Sequence, residues 1–236
     1  MLAAPKLTGP YNIVKTNFYP LRMSAGDFDI FVDDADKAHY FFEKVHSELI
    51  CADLTDDYLD VTGNYSSHFP QQGAPFVREA PAAFSRNGKH YIIISGTTGY
   101  YPNPSEAAVF DGWHGSYQVL GNPHVNDKSK TSFHSQISSV FKVPGKDLYI
   151  ALADRWLPNQ QNYKYTKVKI AFRYTFGKNQ MLRRFGQKVM NSIGGFNRFN
   201  TSIADYVWLP IIFENDMPRI YWRDSWSIEE FDRGSV

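Results

Sequence analysis

The sequence predicts an all-β protein of the β-propeller type, and three observations carry that reading. Aromatic residues make up 16% of the 236-residue chain, and aromatics suit the half-buried pleated surface of strands. Four segments share one pattern: an aromatic residue, a polar turn, then an aromatic-rich apolar run. Polar or aromatic side chains also recur at a nearly fixed offset before those segments.

The segments run from Phe31 through VDDADKAH to Tyr40, and from Phe84 through SRNGKH to Tyr91. The other two run from Phe141 through KVPGKDL to Tyr149, and from Phe213 through ENDMPRI to Tyr221. Asp, Asn, Gly or Pro at the middle of each is turn chemistry, so each reads as a hairpin. The marker Phe residues are 53, 57 and 72 apart, which leaves room for about four short strands per unit, the content of a propeller blade. Glu48–Leu54 supplies an outer strand in the first unit; Ala107–Phe110 and Tyr117–Leu120 do so in the second. Regular hairpins fit a sandwich as well, but the repeat favours the propeller.

One stretch breaks the pattern. Between Gly177 and Ala204 there are no acidic residues and five basic ones, Lys178, Arg183, Arg184, Lys188 and Arg198. Met181, Phe185, Val189 and Ile193 follow helical i, i+4 spacing. The chain therefore reads as one domain over 1–236, with a helical insertion at 177–204. The basic residues read as a solvated face of that insertion in preference to a nucleic-acid patch.

Composition removes several classes. With 43% hydrophobic and 21% charged residues, global disorder is excluded. The 25 Lys and Arg against 24 Asp and Glu give a net charge of +1, so no field draws the chain to nucleic acid or an anionic membrane. Apolar runs such as Tyr91–Ile94 are far too short to span a bilayer. The opening MLAAPKLTGPYN carries no signal-peptide pattern, and the compartment is left open. Cys51 is the single cysteine; it excludes an intrachain disulfide or a multi-Cys metal site and reads as a buried inert thiol. The motifs GxSxG, HExxH, GxxxxGK[ST] and GxGxxG do not occur, and the seven His form no i, i+4 pair. No metal ligand set is expected.

The offsets are more informative. Asp27 lies four residues before Phe31, and Glu79, Gln136 and Trp208 lie five before Phe84, Phe141 and Phe213. In a propeller the first strand of each blade lines the axis, so one register brings all four towards one pocket. Glycoside hydrolysis usually needs one carboxylic acid to protonate the departing oxygen and a second group for the nucleophile. The acid needs an apolar setting or a second carboxylate to raise its pKa. Glu79 sits in FVREAPAAF with Arg78 as its charged neighbour in sequence, and Glu is seldom buried without a reason. Asp27 is the matching second carboxylate; its competing roles are a turn residue in the acidic stretch Asp27–Asp36 and, like Gln136, a partner for buried backbone. Trp208, Trp156, Tyr100 and Tyr101 are candidates for sugar stacking, with blade packing as the competing role.

At these residues the chain resembles glycoside hydrolase family 43, five-bladed β-propeller enzymes. The resemblance is carried by GDFDIFVDDADKAHY, by REAPAAFSRNGKHYIIISGTTGYYPNP, and by TSFHSQISSVF, DLYIALADRWLP, DYVWLP and IYWRDSW. These last segments resemble the exo-β-1,3-galactanase-like members. The resemblance implies that Glu79 is the general acid, that Asp27 tunes and orients it, and that Gln136 replaces the usual carboxylate base and positions water. It implies substrate contact at Thr97 in SGTTG and at Asn103 in the same loop. It also implies a blade ahead of LTGPY, absent here, which leaves about four blades of five.

The implied function is an inverting glycosidase that removes sugars from the non-reducing ends of plant-type polysaccharide side chains, with β-1,3-galactan preferred. The alternatives are an α-L-arabinofuranosidase or β-xylosidase of the same family, a non-catalytic carbohydrate-binding propeller, and a structural interaction propeller. No organic cofactor is implied. Some members hold an axial calcium ion, for which no ligand set is legible. The expected partner is an oligo- or polysaccharide, with no nucleic acid and no membrane. Family members are often secreted.

Overall fold

Short turns rich in Asp, Asn and Gly join most strands to their neighbours in sequence, and the result is four antiparallel sheets. The computed structural model describes residues 1–71, 73–159, 164–195 and 199–231. Strands β1 (Leu2–Ala3) and β2 (Asn12–Ile13) form a two-stranded sheet. The first four-stranded sheet holds β3 (Ala25–Val32), β4 (Ala38–Lys44), β5 (Glu48–Leu54) and β6 (Val61–His68) in sequence order. The second holds β7 (Arg78–Arg86), β8 (Lys89–Gly96), β9 (Glu106–Phe110) and β10 (Gln118–Gly121). The third holds β11 (Gln136–Lys142), β12 (Tyr149–Arg155), β13 (Asp205–Glu214) and β14 (Met217–Ile220). Up-and-down sheets of four strands are the form of propeller blades, so the all-β, propeller-type expectation holds.

The boundaries of the units differ from those read off the spacing. The third and fourth hairpins belong to one sheet, as its inner and outer pairs. Between them, after β12, lie helices α1 (Tyr165–Thr175) and α2 (Gln180–Ser192). The long separation between Phe141 and Phe213 is thus one blade interrupted by a helical hairpin. Asn179 caps α2, accepting from the amides of Met181 at 2.9 Å and Leu182 at 3.2 Å. Within α2 the side of Gly186 and Met190 is buried, while Met181 and Phe185 are exposed. Arg198 lies outside the described residues. No helix among the described residues is long and apolar enough to cross a membrane.

Period-two alternation explains why the second sheet is the middle layer. On β8, Tyr91 and Ile93 pack into the cluster shared with the third sheet, through Tyr149, Ala151 and Leu209. Their neighbours Ile92 and Ile94 pack the other way, against Phe41, Leu49 and Cys51 of the first sheet. A strand buried on both faces reads as a continuous apolar run rather than an alternating one, hence YIII. Small residues on its partners, Ala82, Ala83, Ala107 and Ala108, let the sheets approach. The opposite face of the first sheet, from Tyr40, Phe42 and Ile50, is covered by Phe18, Leu21 and Met23 of the N-terminal segment. On β3 that cover reaches Ala25 but leaves Phe28, Ile30 and Val32 exposed.

Side chains of the innermost strands tie the second sheet to the first and to the third. The Asp29 carboxylate on β3 accepts from the Ala83 amide on β7 at 2.8 Å. The Tyr149 hydroxyl on β12 donates to the Ser85 carbonyl on β7 at 2.8 Å. These links, with β11 carried by its ladder to β12, set the relative heights of the three first strands.

Candidate active site

Asp27, Glu79 and Gln136 stand near the starts of β3, β7 and β11. Their local backbones share a feature that the sequence pattern did not reveal. Each strand leaves regular pairing beside its site residue: between Ala25 and Phe28, between Glu79 and Ala82, and between Ile137 and Ser139. Such bulges turn a side chain out of the two-residue alternation and towards a new direction. At β7 the irregularity includes Ala80 at φ +48°, a left-handed conformation uncommon for a residue with a Cβ.

Glu79 and Gln136 are hydrogen-bonded to each other, and Asp27 lies beside them. The Gln136 amide donates through Nε2 to Glu79 Oε1 at 3.2 Å and to Ser95 Oγ at 2.9 Å. The Trp156 indole donates through Nε1 to Gln136 Oε1 at 3.2 Å. Asp27 accepts from the Ala80 amide, which places its carboxylate close enough to repel charge on Glu79. Arg78, the cation beside Glu79 in sequence, turns away and pairs with Glu106 at 2.8 Å. Among the described residues no basic side chain therefore offsets this largely buried carboxyl.

Burial, then the negative charges of Asp27 and Glu43, push the Glu79 carboxyl up to about 8; the Gln136 hydrogen bond opposes the rise. Glu79 is thus protonated at neutral pH. The Asp27 carboxyl is raised as well, its desolvation outweighing the Ala80 hydrogen bond, although one side of it stays open to solvent. Glu43 was not anticipated from the sequence. It sits on β4, buried, where it accepts from the His46 amide at 2.8 Å. Its room comes from Gly26, where a Cβ would stand 2.2 Å from Glu43 Oε2. A glycine directly before Asp27 was the available signal. Ser95, on the strand paired with β7, was likewise missed.

The remaining predicted residues divide into two groups. Tyr100, Trp156 and Gln136 border one narrow cleft, with the Tyr100 and Trp156 rings 5.5 Å apart and tilted. Thr97 and Asn103 are buried and committed to the backbone. Thr97 donates to the Val77 carbonyl at 2.9 Å. Asn103 Nδ2 donates to the Gly96 carbonyl and to Thr98 Oγ1, both at 2.7 Å, while its Oδ1 accepts from the Gly96 amide at 2.7 Å. These two residues hold the loop that presents Tyr100. The helical hairpin braces the same loop, since the Tyr101 hydroxyl donates to the carbonyls of Ile193 and Gly195 at 3.1 and 3.0 Å.

Trp208 is not part of the group. The third and fourth hairpins share a sheet, so Trp208 lies on its third strand, opposite Leu152. It is half exposed there, with its ring edge-on to Phe141 at 5.9 Å.

No protein-family profile and no curated protein sequence matches the chain. Solved structures do. A family 43 β-1,3-galactosidase superposes with a TM-score of 0.75 at 27% identity, over 98% of this chain and 40% of that one. A second family 43 β-1,3-galactosidase, solved with galactodeoxynojirimycin, gives 0.65 at 27% identity over 86% and 47%. An exo-β-1,3-galactanase from Clostridium thermocellum gives 0.65 at 22% identity over 93% and 41%. The chain thus has the fold of the family 43 glycoside hydrolases, as the motifs implied, and spans less than half the length of these relatives.

Proposed function

We propose that this chain carries the acid side of a family 43 glycosidase site, acting from the ends of β-1,3-galactan of the plant type by an inverting mechanism. The observation that carries the proposal is the Glu79 carboxyl, held protonated near neutral pH beside Asp27 and in contact with Gln136. The substrate class is supported by similarity to solved structures described as β-1,3-galactosidases.

In this reading Glu79 donates its proton to the departing glycosidic oxygen as the C–O bond breaks. Asp27 keeps the proton on Glu79 until then, because a second negative charge in the pocket is unfavourable. Gln136 orients the attacking water, which loses a proton to solvent as its oxygen bonds to the anomeric carbon, and Glu79 regains its proton from solvent to close the cycle. An inverting site needs that water on the far face of the sugar, with about 6.5–9.5 Å between the groups in enzymes that use two carboxyls. Gln136 is 3.2 Å from Glu79, so a sugar ring must separate them, and Gln136 then exchanges Glu79 for water. Tyr100 and Trp156 supply apolar faces to the ring, and Thr97 and Asn103 act by fixing their loop. No cofactor is required by this scheme.

The test is incubation of the chain with β-1,3-galactan and a panel of aryl glycosides, following the first-formed anomer by NMR. Release of α-galactose from a β-linkage supports the proposal. Release of arabinose or xylose would reassign the sugar, release with retained configuration would exclude inversion, and glycan binding without hydrolysis would make the chain a binding module.

A further inference from the structure

Four side chains at the opposite end of the first sheet from Asp27 converge without any part in the proposed reaction. They are His39 on β4, Cys51 and Asp53 on β5, and His114 in the loop between β9 and β10. Ligand atoms of His39, Cys51 and His114 all lie within 4.8 Å of one another. Asp53 joins them, with Oδ1 2.9 Å from His39 Nδ1 and 2.8 Å from His114 Nε2. In a tetrahedron with bonds of about 2.0 Å the donor atoms stand roughly 3.3 Å apart; the Asp53–imidazole pairs are already near that spacing, and Cys51, within 4.8 Å of both imidazoles, would have to draw inward.

The surroundings are built in the same sense. A metal-binding imidazole needs its other nitrogen held by an acceptor, which fixes the tautomer and the ring plane. His39 Nε2 faces Asp33 Oδ2 at 3.4 Å, and His114 Nδ1 faces Ser66 Oγ at 3.0 Å. Asp53 is held in turn by the Asn64 amide, which donates to Oδ2 at 2.6 Å. Each imidazole therefore has a partner on both nitrogens. In one tautomer the ring donates its N–H to Asp53; in the other it carries the proton on its outer nitrogen, donating to the outer partner, and offers a lone pair inward. The His39 ring is further clamped by stacking on Trp113, with centroids 4.3 Å apart.

We infer that His39, Cys51, Asp53 and His114 form a structural site for a divalent transition metal of the zinc type. Two neutral imidazoles, one thiolate and one carboxylate balance a 2+ ion, and a mixed nitrogen, sulfur and oxygen set favours zinc over calcium or magnesium. Cys51 releases its proton to solvent as the sulfur–metal bond forms. Four protein ligands leave no open position, so the site is structural rather than catalytic. Its ligands come from the first and second sheets, so the ion would clip the two together where their inner-strand hydrogen bonds do not reach.

The test is cobalt binding by the full chain after stripping with a chelator. The expected result is one cobalt per chain, with the intense visible bands of a tetrahedral ion and a thiolate-to-cobalt charge-transfer band. Zinc should displace it and raise the melting temperature. Cys51→Ser should abolish the charge-transfer band, and His114→Gln should weaken binding by about tenfold or more. His90→Gln, which alters a nearby imidazole outside the ligand set, should leave both unchanged. A folded wild-type chain that binds no cobalt, or shows only the weak spectrum of an octahedral ion, overturns the inference. So does a charge-transfer band that survives in Cys51→Ser.

Discussion

Replacing Glu79 by Gln should make the protein more stable and less active, and the two effects should follow one proton. The Glu79 carboxyl is raised from its ordinary value of 4.5 to about 8 in the folded state. Below pH 4.5 both folded and unfolded chains hold the proton, and the group contributes no pH dependence. Between 4.5 and 8 the unfolded chain releases it while the folded chain keeps it, so stability falls as pH rises. At about 1.4 kcal/mol per unit, the shift sets a ceiling of about 5 kcal/mol, and relaxation around the partly exposed carboxyl brings the expected loss to roughly 2–5 kcal/mol. Gln cannot ionise, and its carbonyl still accepts from the Gln136 amide. The variant should match wild type at pH 4.5 and exceed it progressively up to pH 8, beyond which the gap is constant. Urea unfolding of both proteins across that range measures the gap directly. Turnover of a glycoside with a poor leaving group should fall by about 10²–10⁴-fold in the same variant, the usual worth of a general acid. A stability difference independent of pH would refute the raised pKa. An active chain losing less than about tenfold in rate would refute the acid assignment.

Asp27→Asn removes the stronger of the two negative charges acting on Glu79, so the basic limb of the pH–rate profile should move to lower pH; an unmoved limb counts against coupling. Ala80→Gly should raise stability by roughly 0.5–1 kcal/mol, because relief of the left-handed backbone exceeds the entropy glycine adds to the unfolded chain. A loss of more than about 1 kcal/mol on chemical denaturation would show that Ala80 is unstrained. Gly186→Ala would place a Cβ 2.3 Å from the Thr175 nitrogen, where α2 crosses α1. The expected result is a loss of roughly 1–3 kcal/mol; a gain, as helix propensity alone predicts, would mean that the helices can separate.

The legible part of the molecule was the part set by local chemistry. Hairpins with short polar turns fix their own register, so a constant offset before Phe84 and Phe141 meant the same height on β7 and β11. That is why Glu79 and Gln136 were found together, and why Asp27 joined them. The predicted Glu48–Leu54 matches β5, and the basic stretch contains α2. Trp208 failed because a helical hairpin inserted within a blade lengthens the spacing just as a new blade would. Helix α1 carries no strong apolar period of its own and owes its burial to Tyr101 and Leu157. Glu43 and Ser95 lie on second strands, so their approach to the pocket depends on pairing that no local pattern records. His39, Cys51 and His114 were separated by the same rule: no segment of the chain contains two of them at a ligand spacing.

The three irregular ladders beside Asp27, Glu79 and Gln136 also bear on how this protein could lose its pocket. Strict pairing would offer the axis every second residue and a full set of backbone bonds. Removing one residue at Gly26, Ala80 or Ser138 would restore much of that order and turn the neighbouring polar group to the other face of its strand. The shortened chain would be the sturdier molecule and an empty one. Robustness and chemistry therefore compete at three backbone positions, none of which carries a reactive side chain.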